Sequence, residues 1–152
     1  MPQLFVLVDN FNGITVHLKH RDITMVAASL APFAKLAAHK ERMSWTFPWL
    51  SSVGSDFNFD LGVSFTEDEL ETGNLDYNYR PTPFPMSEAP SISEFLKDDD
   101  GAIFHTYSTY ARGLDMLNVA YHYMDVAPMG RDEGDTGQSW ARRHDEYSDR
   151  CR

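Results

Sequence analysis

Asp99-Asp100-Gly101 divides two strand-like runs, Ser91–Lys97 (SISEFLK) and Ala102–Tyr107 (AIFHTY). A short Asp-Gly turn between such runs predicts a β-hairpin, because it lets the backbone reverse where most side chains would clash. Tyr107, Tyr110 and Arg112 follow, and then a helix predicted over Leu114 to Asp125. Leu114, Leu117, Tyr121 and Met124 mark one face of that helix, and Pro128 ends it.

The rest of the chain reads as alternating helices and strands. Leu4, Leu7, Phe11, Ile14 and Leu18 recur at helical spacing, which predicts one helix from Gln3 to His20 despite the Asn12-Gly13 turn signal. Ile23–Ser29 (ITMVAAS) reads as a buried parallel strand. A helix over Ala31 to Met43 follows, with Pro32 in its first turn. Trp45–Leu50 reads as extended, and Pro48 keeps it from a sheet centre. Ser55 to Leu61 reads as one helical turn, with Ser55 or Asp56 as its cap. The stretch from residue 66 to 90 is a long excursion holding Pro81, Pro83, Pro85 and Pro90. Loops of that length usually serve a function or grip a partner. Residues 1–130 form the expected domain, and residues 131–152 a polar tail anchored on it by Trp140.

Composition narrows the function. With 152 residues, 42% of them hydrophobic, the chain suits one globular domain. A net charge of −10 argues against nucleic acid and against anionic membrane surfaces. No apolar run is long enough for a membrane span, and the first residues lack a basic signal region. The expected location is therefore cytoplasmic. Cys151 is the one cysteine, so neither an intramolecular disulfide nor a thiolate zinc cage can form.

Several polar groups invite a chemical reading. His105, Tyr107, Tyr110 and Arg112 are candidate catalytic residues, with Arg112 to hold an anion and a tyrosine hydroxyl to donate to a substrate. The plainer reading takes precedence: His105 and Tyr107 alternate across a strand, and Arg112 pairs with an acidic neighbour. Asp56 reads as a cap before it reads as an acid. His17 and His20 share a helix face without a third ligand, and His39 and His122 lack metal-site spacing. Arg142, Arg143, His144 and Asp145 read as a strapped tail rather than an anion clamp. No metal and no cofactor is expected, and neither a phosphate loop nor a serine nucleophile elbow is present.

Three blocks carry a resemblance to a known family. ERMSWTFPWLSSVGSDFNFDLGVSF (Glu41–Phe65), FHTYSTYARG (Phe104–Gly113) and WARRHDEY (Trp140–Tyr147) resemble a bacterial domain of unknown function, number 899. That family is described as predicted dithiol-disulfide isomerases with a thioredoxin-like fold. The resemblance implies an α/β, thioredoxin-like (peroxiredoxin-like) three-layer sandwich. It also implies that Pro90 stands near the redox position and is a candidate cis-proline.

In the family pattern the two motif cysteines precede the stretch that here reads VDNFNG (Val8–Gly13). They would fall near Met1 and Leu4, and neither is cysteine. The first core strand, expected between Ile23–Ser29 and Ser91–Lys97, is missing. Dithiol exchange needs an attacking and a resolving thiol, so this chain is expected to be redox-inactive. The expectation is an N-terminally truncated member acting as a binding or assembly module, a homodimer that repairs the open sheet edge. The alternative is a dithiol-disulfide oxidoreductase whose true N-terminus, with its CxxC, lies upstream of Met1. A thiol-independent enzyme built on His105, Tyr107 and Arg112 is a weaker third option. The small-molecule or protein partner is not named by the sequence.

Overall fold

A computed structural model of the chain describes residues 2–73 and 75–148. Met1 and Cys151 lie outside the described residues. In chain order the elements are α1 (Pro2–Val8), α2 (Phe11–Lys19), β1 (Ala27–Ser29), α3 (Phe33–Arg42), β2 (Trp49–Ser51), α4 (Phe57–Asp60), α5 (Glu67–Thr72), β3 (Asp76–Tyr77), β4 (Arg80–Pro81), β5 (Ser91–Lys97), β6 (Ile103–Tyr110) and α6 (Val119–Asp125). Short 3-10 segments cover Ala111–Leu117, Gly134–Trp140 and His144–Glu146. The fold is α/β, but its strands form three separate two-stranded ladders and not one contiguous sheet.

The chain divides into two compact units, Met1–Val53 with Met116–Arg152, and Gly54–Asp115. In the first unit β1 and β2 run parallel, with Ala27 opposite Trp49 and Ser29 opposite Ser51. After a turn at Met43-Ser44 the chain runs extended to Trp49, and burial alternates along it: Met43, Trp45 and Phe47 are buried, while Ser44, Thr46 and Pro48 are exposed. This period of two puts every large side chain on one face. Phe5, Val8, Phe11, Ala27 and Trp49 pack against that face. Pro48 sits just before β2, and its carbonyl accepts from Ala27 N at 2.9 Å.

The single helix expected over Gln3 to His20 is two helices, broken at Asp9-Asn10. The Asn10 side chain donates back to the Val6 and Leu7 carbonyls at 3.0 and 3.1 Å, closing α1 with its own amide. Asn12 then ties α2 to the extended run. Its Oδ1 accepts from Thr46 N at 2.7 Å, and its Nδ2 donates to Ser44 O at 3.0 Å.

In the second unit Val63, Phe65, Leu75, Tyr77 and Tyr110 form the core, with Leu61, Leu70, Phe84 and Ala89 packed on it. The excursion from residue 66 to 90 is largely structured. Thr66 and Glu69 cap α5 reciprocally, and Gly73 ends it in the left-handed conformation, φ 64°. Asn78 and Tyr79, both at positive φ, turn β3 back onto β4. The predicted hairpin is present as β5–β6, with Ser91 opposite Tyr110 and Lys97 opposite Ile103. Asp98 Oδ1 accepts from Ala102 N at 2.8 Å, which locks its turn. A bulge at Thr106 shifts the register between Glu94 and Phe95.

Candidate functional site

Three of the four candidate residues lie on one strand, and their side chains diverge. His105 and Tyr107 are exposed on β6, and Tyr110 is buried at its end. His105 Nε2 lies 2.7 Å from Ser108 Oγ and 3.1 Å from the Tyr107 carbonyl. Its ring also rests on Phe95, with centroids 5.1 Å apart. The Tyr110 hydroxyl donates to the Leu61 carbonyl at 3.1 Å. Arg112, on the 3-10 segment after β6, is exposed and pairs with Asp115 at 2.9 Å. A cavity of about 280 Å³ collects His105 and Tyr110 with Asp60, Leu61, Gly62, Asp76, Asn78 and Tyr79. Tyr107 and Arg112 do not line it.

Sequence reasoning missed Tyr77 and Tyr79. The Tyr77 hydroxyl joins two chain segments: it donates to the Pro90 carbonyl at 3.0 Å and accepts from Ala111 N at 2.9 Å. Burial pushes this phenol above its ordinary pKa, against the pull of the Ala111 amide. The Tyr110 ring stands edge-on to both neighbours, 5.7 Å from Tyr77 and 5.5 Å from Tyr79. The charge Tyr110 would carry on ionising pushes the Tyr79 phenol up as well. The period-two run Leu75-Asp76-Tyr77-Asn78-Tyr79 was the available signal. The peptide bond before Pro90 is trans, which corrects the cis expectation, and what Pro90 contributes is its carbonyl.

The polar groups of the first unit gather around Asp9. Its Oδ1 accepts from Trp45 Nε1 at 2.7 Å and lies 2.9 Å from His144 Nδ1. Arg42 grips Asp145 through Nε and Nη2, at 2.6 and 3.0 Å, and reaches Glu146 at 3.1 Å. Hydrogen bonding to Arg42 holds Asp145 below the usual carboxylate range, and Arg143, then Arg42, does the same for Glu146. His39 Nε2 is buried with no hydrogen-bond partner. Burial, reinforced by Arg143 and Arg42, lowers its pKa. Arg142–Asp145 are thus engaged with the unit's own residues: Arg142 Nη1 donates to the Ser139 and Ala141 carbonyls. Asp56 takes the N-cap position of α4 but makes no side-chain cap bond. A groove of about 500 Å³ runs along Phe33, Leu36, Lys40, Trp45 and Trp49. Among the described residues no three His, Cys, Asp or Glu side chains cluster as a metal site. None of their helices is long and apolar enough to cross a membrane.

Residues 4–147 match a family described as bacterial protein of unknown function (DUF899), so the chain belongs to that family. No curated protein and no solved structure matches it.

Proposed function

We propose that this chain is a non-catalytic member of its family, a thioredoxin-like binding module that takes up a β-strand from another chain. The observation that carries the reading is the β5–β6 ladder. Each of its strands has one partner among the described residues, and Glu94–Lys97 and Ile103–Tyr107 are exposed. Open strand edges present unpaired amides and carbonyls that template strand addition. Among the described residues β1 too has a single partner, β2. The single cysteine supports redox inactivity. A homodimer is one form such an addition can take.

The test is a fluorescent neutral peptide of alternating threonine and valine, about ten residues long, the upper end of ordinary strand lengths. The reading expects saturable binding that Lys97→Pro abolishes, because the Lys97 amide alternates with the inward Asp98 amide and so lies on the open edge, where proline deletes it. An unresponsive peptide, with a chain that stays monomeric on concentration, contradicts it. Acceleration of insulin reduction by dithiothreitol would contradict the non-catalytic half.

A further inference from the structure

The charge of this protein is confined to one unit. Residues 54–115 hold thirteen Asp and Glu against three Lys and Arg, which is the entire net charge of −10. The remaining residues hold ten of each and are neutral. The open hairpin belongs to the acidic unit. On its outer half both faces carry exposed apolar side chains, and on one of them Phe95 also meets the Phe57 ring, with centroids 6.4 Å apart. The ladder register places Phe95 and Ile103 on one face, and Leu96, Phe104 and Tyr107 on the other. Leu96 is 58% exposed, Ile103 68% and Phe104 51%. Glu94 stands among these side chains, and Asp99 and Asp100 lie exposed at the tip. Lys97 is the one Lys or Arg on either strand.

Resting on the strand-addition reading above, we infer that the hairpin docks an extended segment of a partner protein in which basic and apolar residues alternate. The two strand edges differ. On β6 the Thr106 bulge breaks the regular ladder, and the His105 side chain sits against the Tyr107 carbonyl. Bulges and side-chain cover protect an edge from addition. On β5 the ladder is regular from Phe95 to Lys97 and Lys97 is its one basic guard, so β5 receives the segment. Side chains of an added strand alternate between the two faces. Its apolar residues then extend Leu96 and Phe104 or Phe95 and Ile103, while its Lys or Arg residues meet Glu94, Asp99 and Asp100. Charge selects this occupant over a second copy. Two hairpins meeting edge to edge bring together two units of −10 each, a repulsion that a basic segment does not meet.

The experiment uses the full chain and two labelled peptides of equal length, one alternating lysine and valine, the other glutamate and valine. Fluorescence anisotropy should show the lysine peptide binding at least about tenfold more tightly. Its affinity should fall about tenfold as salt rises from roughly 50 to 300 mM. Phe104→Ser, at an exposed site, should weaken it by about tenfold, while Val126→Ser, exposed in the neutral unit, should leave it unchanged. Equal binding of the two peptides overturns the basic partner while leaving strand addition intact. So does a dilution-resistant dimer that Phe104→Asp dissolves. Failure of both charged peptides and the neutral one, in a monomeric chain, overturns both readings.

Discussion

In the first unit the last described residues return to the first helices. Asp145 and Glu146 are held by Arg42, and His144 by Asp9, which also carries the Trp45 indole. Its large aromatics, Trp45 and Phe47, are buried on one face of an extended run. The second unit buries an aromatic core of comparable kind, Phe65, Tyr77 and Tyr110, yet leaves the outer half of its hairpin exposed. It also carries all the net charge. The difference teaches that exposure here is not poor packing. A unit that closes its core and seats its loops on Tyr77 still presents five apolar side chains on a ribbon, beside unmatched acids. That pattern belongs to a surface awaiting cover.

The largest expected effect breaks the closed unit. Phe47→Ala removes a ring that is 1% exposed, and should cost about 3–5 kcal/mol. All three tryptophans, Trp45, Trp49 and Trp140, lie in the first unit, so their fluorescence during urea unfolding reads it directly. Tyr77→Phe attacks the second unit at the hydroxyl that joins Pro90 to Ala111. Leaving those groups unpaired should cost about 1–3 kcal/mol and speed amide exchange at Ala111.

Acid and base should separate the units. In the first, the lowered pKa values of His39, Asp145 and Glu146 mean that the unfolded chain binds more protons. Their contribution is present above the ordinary values and is lost as pH falls, for His39 from about 6.5 and for the carboxylates below that. In the second, the raised Tyr77 phenol reverses the sign: its contribution holds below about pH 10 and is lost above it. Acid also relieves the repulsion among this unit's carboxylates, although Glu69 loses its capping role there. Tryptophan fluorescence should therefore report loosening of the first unit on acidification, before the Ala111 amide is released. The smallest effect is at Arg42. Arg42→Met removes an exposed ion pair, and should shift tryptophan-monitored unfolding slightly, with the difference vanishing in high salt.

The hairpin was legible because its turn chemistry and both strand patterns are local. The break at Asp9-Asn10 was not, because apolar spacing runs unbroken through it. What stops α1 is an Asn10 amide folding back on Val6 and Leu7, while Asp9 serves Trp45, far along the chain. The excursion from residue 66 to 90 held an overlooked signal. Thr66 and Glu69 have capping-box spacing and Gly73 is a C-cap, so α5 could have been read. Tyr77 could not be placed at its junction from sequence, since both its hydrogen-bond partners are set by tertiary packing. The charge division needed the structure, because only the boundaries near residues 54 and 115 turn a diffuse acidic composition into a property of one unit.

The most direct measurement of the central claim is hydrogen exchange along β5, with and without the neutral threonine–valine peptide. Strand addition predicts that the outward Phe95 and Lys97 amides exchange quickly in the isolated dilute chain and slow by at least about tenfold when the peptide is bound, while the Ala27–Ser29 amides are unchanged. Peptide binding that leaves the Phe95 and Lys97 amides unprotected, or finding those two already protected in the dilute monomer, would contradict the open edge on which the account rests.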